Sequence, residues 1–526
     1  MKLRTDPRVA LFMAACLIEM SMLGLWPAAY LSDSQDSTSR LGQMFLGRYP
    51  VIGGLLPILK STVDAVFPGA LWTWDHLVSF IFSCVLAAFV AYAIAAWRLQ
   101  AGSAVRLRWI IIPLIAFELT LFLIPASFTT DIFNYAIYGE MPVLYHVNPF
   151  IHTPGEFPQS PLYYMIPLYW HDAPSVYGPL WIDFSVGVAS ALHPFGLADE
   201  LVTYRIAANL AHLLNTAFVW RIARRLNPAA APSAAIAYGW NPLLLVDFSM
   251  NGHNDVVMLT LLLGSCLLLL SGRWGWAALV FGLSVAMKYT SALVALPLFV
   301  WAARARAASW PGQLRALAIS GLISVAIVIA LYLPWVQGPD TFGPVWYWMS
   351  GPRINNFLPE PTLISIASWS SGLFGWDFNA TWDAVFEGFK KLAKGALITL
   401  VLYETWRART FEDVLRGCAH VFLLFLLIVN TWIMPWYFTW PLAIAAPLGW
   451  NRLLVRVCAG MTLTALLLPY ERQLGYTFVS EWGGYTLIAP LLLAALPPLG
   501  RFVRCHWPGW FLAEARLLER RTAFKG

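Results

Sequence analysis

Apolar stretches of helix length recur along this chain, separated by short polar connections. A helix needs about 20 mostly apolar residues to cross a bilayer. Runs at or near that length fall at 9–31, 76–97, 109–127, 202–220, 232–249, 255–271, 275–287, 290–303, 315–336, 391–405, 414–432, 435–449, 453–469 and 484–500. They predict one integral membrane domain over 1–526: all-α, a polytopic bundle of about 14 transmembrane helices. Several runs are short, so the later part of the bundle is expected to hold tilted or half-crossing helices.

Composition agrees with that pattern. The chain is 59% hydrophobic and 12% charged, against about 25% charged in soluble domains. Its net charge of +6 comes from short Arg and Lys clusters between apolar runs, with no continuous basic stripe, so no nucleic-acid partner is expected. The six cysteines lie in or beside apolar runs without a CxxC pair, which predicts neither a disulfide framework nor a cysteine zinc site. The opening MKLRTDPR precedes an apolar run that lacks a small-residue cleavage site, and it reads as the lead into a retained first span.

Basic residues set orientation, because cytoplasmic loops collect Lys and Arg. With the N-terminus inside, 24 of the 34 basic residues fall on inner segments, among them Arg106, Arg108, Arg221, Arg224, Arg225, Arg304 and Arg306. Both termini, including the tail 506–526, are then cytoplasmic, in a multi-pass protein of the cell membrane. The long outer segments are 32–75, 128–201 and 337–390. Elaborate segments on one face and minimal loops on the other place the chemistry outside. Residues 177–194 are apolar enough to cross, but a crossing would carry Arg221, Arg224 and Arg225 outward, so they read as a helix on or partly in the outer leaflet. Residues 275–303 have basic residues at both ends, and roughly 29 residues at about 1.5 Å each cannot cross a core of about 30 Å twice. A broken hairpin with Lys288 near its tip satisfies the charges; one long tilted span is the alternative.

The candidate chemistry gathers at the outer ends of these runs. Asp131 is the first acid after 109–127, with Thr130 as a helix N-cap. At helical spacing Asp131, Asn134, Tyr135 and Tyr138 share one face. Complementing the helix dipole is the plain role for such an acid; a reactive carboxylate is the other. The stretch 241–257, NPLLLVDFSMNGHNDVV, sets Asp247, Asn251, His253, Asn254 and Asp255 between two runs as a polar rim. Helix capping by Asn254 or Asp255 accounts for one of these five residues, and His253 is a structural hydrogen-bonder or a substrate contact. Ionisable groups near hydrocarbon cost about 2.5–3.5 kcal/mol each on insertion scales. Lys288, Arg353 and Arg205 are the outer cations suited to a phosphate, with snorkelling as the bland role for Lys288. The many outer tryptophans and tyrosines fit an interfacial belt, and some of their faces suit sugar rings or isoprenoid tails.

These motifs resemble a family. Asp131…Tyr135…Gly139…Asn148-Pro149-Phe150…Pro154 is similar to the first-loop signature of GT-C glycosyltransferases that use polyprenyl-phosphate sugars. Tyr177-Gly178-Pro179-Leu180-Trp181, Asn241-Pro242-Leu243 with Asn251-Gly252-His253-Asn254-Asp255, Gly282-Leu283…Lys288 and Pro435-Trp436-Tyr437…Trp440 resemble, in order, motifs of bacterial α-1,6-mannosyltransferases of the MptA/MptB type. Two positions depart. Thr129-Thr130 precede a single Asp131 where many relatives carry paired acids, so no metal ion or other cofactor is expected; Phe150 replaces a tyrosine.

The resemblance implies a GT-C bundle with interfacial helices in its extracytoplasmic loops. It implies transfer of a hexose, mannose by default, from a polyprenyl-phosphate donor in the bilayer to a glycan or glycolipid hydroxyl, with inversion. Asp131 is the catalytic candidate, and Tyr135, Tyr138, Glu140, Asn148, Tyr177, His253, Asn254, Asp255, Lys288 and Arg353 the substrate-binding ones. A flippase for lipid-linked sugars, or a ligase or polymerase using a diphosphate-linked donor, are the alternatives. The first would show broken helices at the midplane, the second several outer arginines.

Overall fold

The computed structural model describes residues 6–26, 74–99, 105–124, 129–350 and 359–473, with isolated positions at 44, 47–49, 61, 489–491 and 494. Most of the outer segment 32–75, Arg353, most of the last expected span and the tail 506–526 lie outside the described residues. All regular structure among the described residues is helical, as the apolar pattern requires. The main helices are α1 (Pro7–Leu23), α2 (Trp74–Leu99), α3 (Arg108–Phe122), α4 (Asp131–Leu144), α5 (Pro179–Leu192), α6 (Leu197–Leu226), α7 (Ala231–Gly239) and α8 (Asp255–Leu270). They continue with α9 (Trp274–Met287), α10 (Ala295–Arg306), α11 (Trp310–Tyr332), α12 (Glu360–Phe374), α13 (Phe378–Arg407), α14 (Phe411–Leu424), α15 (Thr439–Ala445) and α16 (Leu453–Gln473).

Among the described residues two helices are long and apolar enough to cross a membrane, over Ser79–Leu99 and Trp310–Trp335. A third crossing results if Pro242–Met250 and Asp255–Leu270, bent by 115° to one another, are taken together. Large apolar side chains stay exposed along several helices, among them Phe12, Ile112, Leu322, Ile329 and Ile398. A monomer rarely leaves such surface to water; these helices face lipid.

Two expected spans are not continuous helices. Residues 232–249 divide into α7 and a second start at Asn241, whose side chain accepts from the Leu243 amide while Pro242 takes the first helical position. The chain then winds as a π-helical turn over Leu245–Met250. A capping residue followed by proline restarts a helix, whatever the hydropathy. Residues 435–449 likewise break into a 3₁₀ turn, α15 and a second 3₁₀ turn, around Pro435, Pro441 and Pro447. The 275–303 stretch does break as the charges ask: α9 ends at Met287, Lys288 is extended, and 3₁₀ turns lead into α10.

Several close contacts lock the helices that carry the candidate site. α4 lies against α5 so tightly that a Cβ on Gly139 would sit 2.5 Å from the Ser185 carbonyl oxygen. Gly178, at the head of α5, rests on the Ala286 carbonyl, and its amide donates to the Met287 carbonyl at 3.2 Å. The start of α5 is therefore fixed to the chain break that holds Lys288. Arg205, fully buried on α6, donates to the carbonyls of Phe122 (3.3 Å) and Ile124 (2.9 Å). It satisfies acceptors that a helix end leaves open, and so ties α6 to the end of α3.

Candidate active site

Asp131 opens α4 with Thr130 at the N-cap, but the threonine side chain makes no cap bond. Asn134, Tyr135 and Tyr138 are each 1% exposed, but α4 is buried all round from Ile132 to Met141, so burial does not single out the expected face. The Tyr135 ring meets Tyr177, Trp181 and Tyr204 edge-on, and its hydroxyl accepts from the Asn254 amide at 3.3 Å. Tyr138 donates to the Ala173 carbonyl at 2.8 Å. Aromatic packing thus holds the helix whose first residue is Asp131.

The stretch after the π-helical turn folds back onto that residue. His253 Nδ1 lies 3.5 Å from Asp131 Oδ2, and its Nε2 lies 3.8 Å from Asp247 Oδ1 and 3.3 Å from Thr129 Oγ1. The imidazole stacks on Trp436, centroids 4.0 Å apart. Asn251 donates to Asp247 at 2.9 Å. Lys288 Nζ donates to Asp255 Oδ1 at 2.8 Å, Trp440 Nε1 donates to the same oxygen at 2.6 Å, and the ammonium lies over the Tyr437 and Trp440 rings. Asp131, Asp247, His253, Asp255 and Lys288 thus form one cluster drawn from three separate stretches of sequence.

The expected polar rim is buried, which corrects the sequence reading. His253, Asn254 and Asp255 are at most 1% exposed. Capping does not explain Asn254, which stands at the N-cap of α8 with neither side-chain amide atom partnered among the described residues, its backbone N–H being the one that meets Tyr135. Within the cluster, Asp131 and Lys288 keep 18% and 16% of their side-chain surface open, while His253, Asp247 and Asp255 keep 0–4%. Asp131 and Lys288 are the two partly exposed members; Asp255 is bonded to Lys288, and His253 stands beside Asp131.

Burial pushes the Asp131 carboxyl up to about 7; Lys288 pulls it back and Asp255 adds to the rise. Burial, aided by Lys288, holds His253 well below the usual histidine range, so its ring is neutral. A carboxyl poised near neutrality beside a cation can take a proton and steady an anion.

Other expected residues lie elsewhere. Asn148 serves the fold, donating to the Trp335 carbonyl at 2.6 Å and accepting from the Phe150 amide at 3.0 Å. The Tyr177 ring is buried against Tyr135 and Tyr138. Glu140 points away from Asp131 toward His193 and Glu200, and burial, then Glu200, push it up to about 8. Trp436 and Trp440 were not among the expected site residues; the Pro435-Trp436-Tyr437…Trp440 motif carried the signal.

Comparison with known proteins covers this region. A family model described as Alpha-(1->6)-mannopyranosyltransferase, N-terminal domain, matches residues 41–305, and one for glycosyltransferase family 87 matches residues 185–435. The chain is 27% identical over 376 residues to alpha-(1->6)-mannopyranosyltransferase A of Mycobacterium tuberculosis, 68% of each chain being covered. It is 25% identical over 295 residues to a probable alpha-(1->6)-mannopyranosyltransferase of Mycolicibacterium smegmatis, covering 49% of this chain and 51% of that one. Over 356 residues it is 25% identical to alpha-(1->6)-mannopyranosyltransferase B of Corynebacterium glutamicum, covering 62% of this chain and 56% of the relative. Asp131, Asp247, His253, Asp255 and Lys288 all fall inside the first matched stretch.

Proposed function

This chain belongs to the alpha-(1->6)-mannopyranosyltransferase family of glycosyltransferases, and on that premise we propose that it moves mannose from a polyprenyl-phosphate donor to a glycan or glycolipid hydroxyl. Transfer takes place on the extracytoplasmic face, in a GT-C bundle of about 14 spans with both termini in the cytoplasm. The observation that carries the proposal is that Asp131 and Lys288 are the two members of the buried cluster that keep part of their side-chain surface open, Lys288 bonded to Asp255 and Asp131 beside His253.

The chemistry needs a base and a cation. The acceptor hydroxyl attacks the anomeric carbon as the bond to the donor phosphate breaks; Asp131 takes the hydroxyl proton, and Lys288 faces the charge that grows on the leaving phosphate. A single displacement inverts that carbon, so a β-linked donor gives an α-linked product. His253 and Asp247 set the direction of Asp131, while Asp255 and Trp440 set that of Lys288. No metal ion takes part in this step. Asn254, whose side-chain amide atoms have no partner among the described residues, and the aromatic faces of Tyr437 and Trp436 are proposed to meet the sugar. Arg353 is proposed as a second phosphate contact, and Tyr135, Tyr138 and Tyr177 as the aromatic packing that holds α4 and its Asp131 in place.

The test uses the full-length protein in nanodiscs with polyprenyl-phosphate mannose and a mannoside acceptor. Release of polyprenyl monophosphate with gain of acceptor mass supports transfer. Movement of donor between leaflets without release would make the protein a flippase instead. A requirement for a diphosphate-linked donor would make it a ligase or polymerase.

A further inference from the structure

Away from the Asp131 cluster, α4, α5 and α6 bring three ligand-type side chains together. Glu140 comes from the C-terminal half of α4 and Glu200 from the first turn of α6. His193 stands in the turn after α5, and Gly196, with φ +116°, reverses the chain so that α6 starts back alongside it. One donor atom from each of the three lies within 4.8 Å of the other two. His193 Nδ1 is 3.3 Å from Glu200 Oε1 and 3.6 Å from Glu140 Oε1.

Two features point to a bound cation. Glu140 and Glu200 are 1% and 0% exposed, and the Oε2 atom of each is buried with no hydrogen-bond partner among the described residues. Buried carboxylate oxygens are costly without a positive partner. The spacing is also apt: ligands about 2.0–2.2 Å from a tetrahedral metal stand about 3.4 Å apart, between the two distances observed from His193. Two carboxylates and one imidazole form a donor set for a divalent d-block cation. The partly open histidine, 43% exposed, leaves room for water as a fourth ligand.

We propose that Glu140, His193 and Glu200 bind a divalent transition-metal ion such as Zn²⁺, which pins α4 to α5 and α6. Nine residues of helix, about 13 Å, separate Glu140 from Asp131, so the ion is structural and stands apart from the transfer step. Its effect is to fix the helix that begins with Asp131. The proposal does not depend on the sugar chemistry.

Calorimetry and metal analysis on the tag-free full-length protein in detergent test it, with Zn²⁺ as the probe. The expected result is one Zn²⁺ per chain and a rise in Tm. His193→Ala is the first variant, since a partly exposed side chain can be removed without opening the core; Glu200→Gln is the second. Both should lower Zn²⁺ affinity by roughly tenfold or more and abolish the Tm rise. No saturable Zn²⁺ uptake by the natural chain, or full uptake and an unchanged Tm rise in folded His193→Ala, would overturn the proposal. If Glu200→Gln fails to fold, His193→Ala alone decides.

Discussion

At the scale of single residues, Asp131 carries the sharpest expectations. Its carboxyl titrates near 7, and only the deprotonated form accepts a proton, so transfer should rise with pH through about 7 and fall away in acid. Asp131→Asn keeps the shape and removes the base; turnover should drop about 10²–10⁴-fold with Tm unchanged. Near-normal turnover in that variant ends its role. Lys288 acts on the same group from the other side. It pulls the Asp131 carboxyl down, so Lys288→Met should move the acidic limb of the residual activity to higher pH, besides slowing transfer about 10²-fold. A limb that stays in place would mean the two groups are not coupled. Both residues stood out in the sequence as candidates, because an acid and a cation at the ends of apolar runs demand a reason. The burial of His253, Asn254 and Asp255 was not legible there. A polar pentad between two spans reads as surface, and only the fold-back of the π-helical turn brings it under Asp131. Trp436 and Trp440 were flagged by the Pro435-Trp436-Tyr437…Trp440 motif alone: an aromatic belt explains tryptophans near an interface generally, and composition does not mark the one that stacks on His253 or the one that donates to Asp255.

At the scale of elements, close helix approach matters more than hydropathy. α4 and α5 meet at Gly139, where any side chain would run into the Ser185 backbone. Gly139→Val should destabilise the protein by about 1–3 kcal/mol, read as a lower thermal midpoint in detergent. Gly187, on α5 itself, has no heavy atom within 4 Å of a built Cβ, so Gly187→Ala should be neutral or stabilising by up to about 1 kcal/mol. Equal effects from the two variants would contradict the contact. The apolar pattern found where helices are, but not where they stop. It ran one span across 232–249, although Asn241-Pro242 is itself a stop and restart signal. Hydropathy averages over such a pair, while backbone chemistry does not. The break at Lys288 was read correctly because charge at both ends left too little chain for two full crossings.

At the scale of the whole molecule, the exposed apolar faces of α1, α3, α11 and α13 fit a membrane protein, and Asp131 and Lys288 sit where stretches from both halves of the chain converge. The sequence count of basic residues predicts which side that convergence faces. It expects the connection between α10 and α11, which follows Arg304 and Arg306, to lie inside, and the segment between α4 and α5 to lie outside with Asp131. Gln159 and Ser309 are exposed residues on these two connections. A membrane-impermeant thiol reagent on intact cells should therefore label Gln159→Cys and spare Ser309→Cys, with the pattern reversed on inside-out vesicles. The opposite result would put Asp131 and Lys288 on the cytoplasmic face. A donor whose sugar is displayed outside would then be out of their reach, so this one labelling pattern constrains the substrate as firmly as it does the topology.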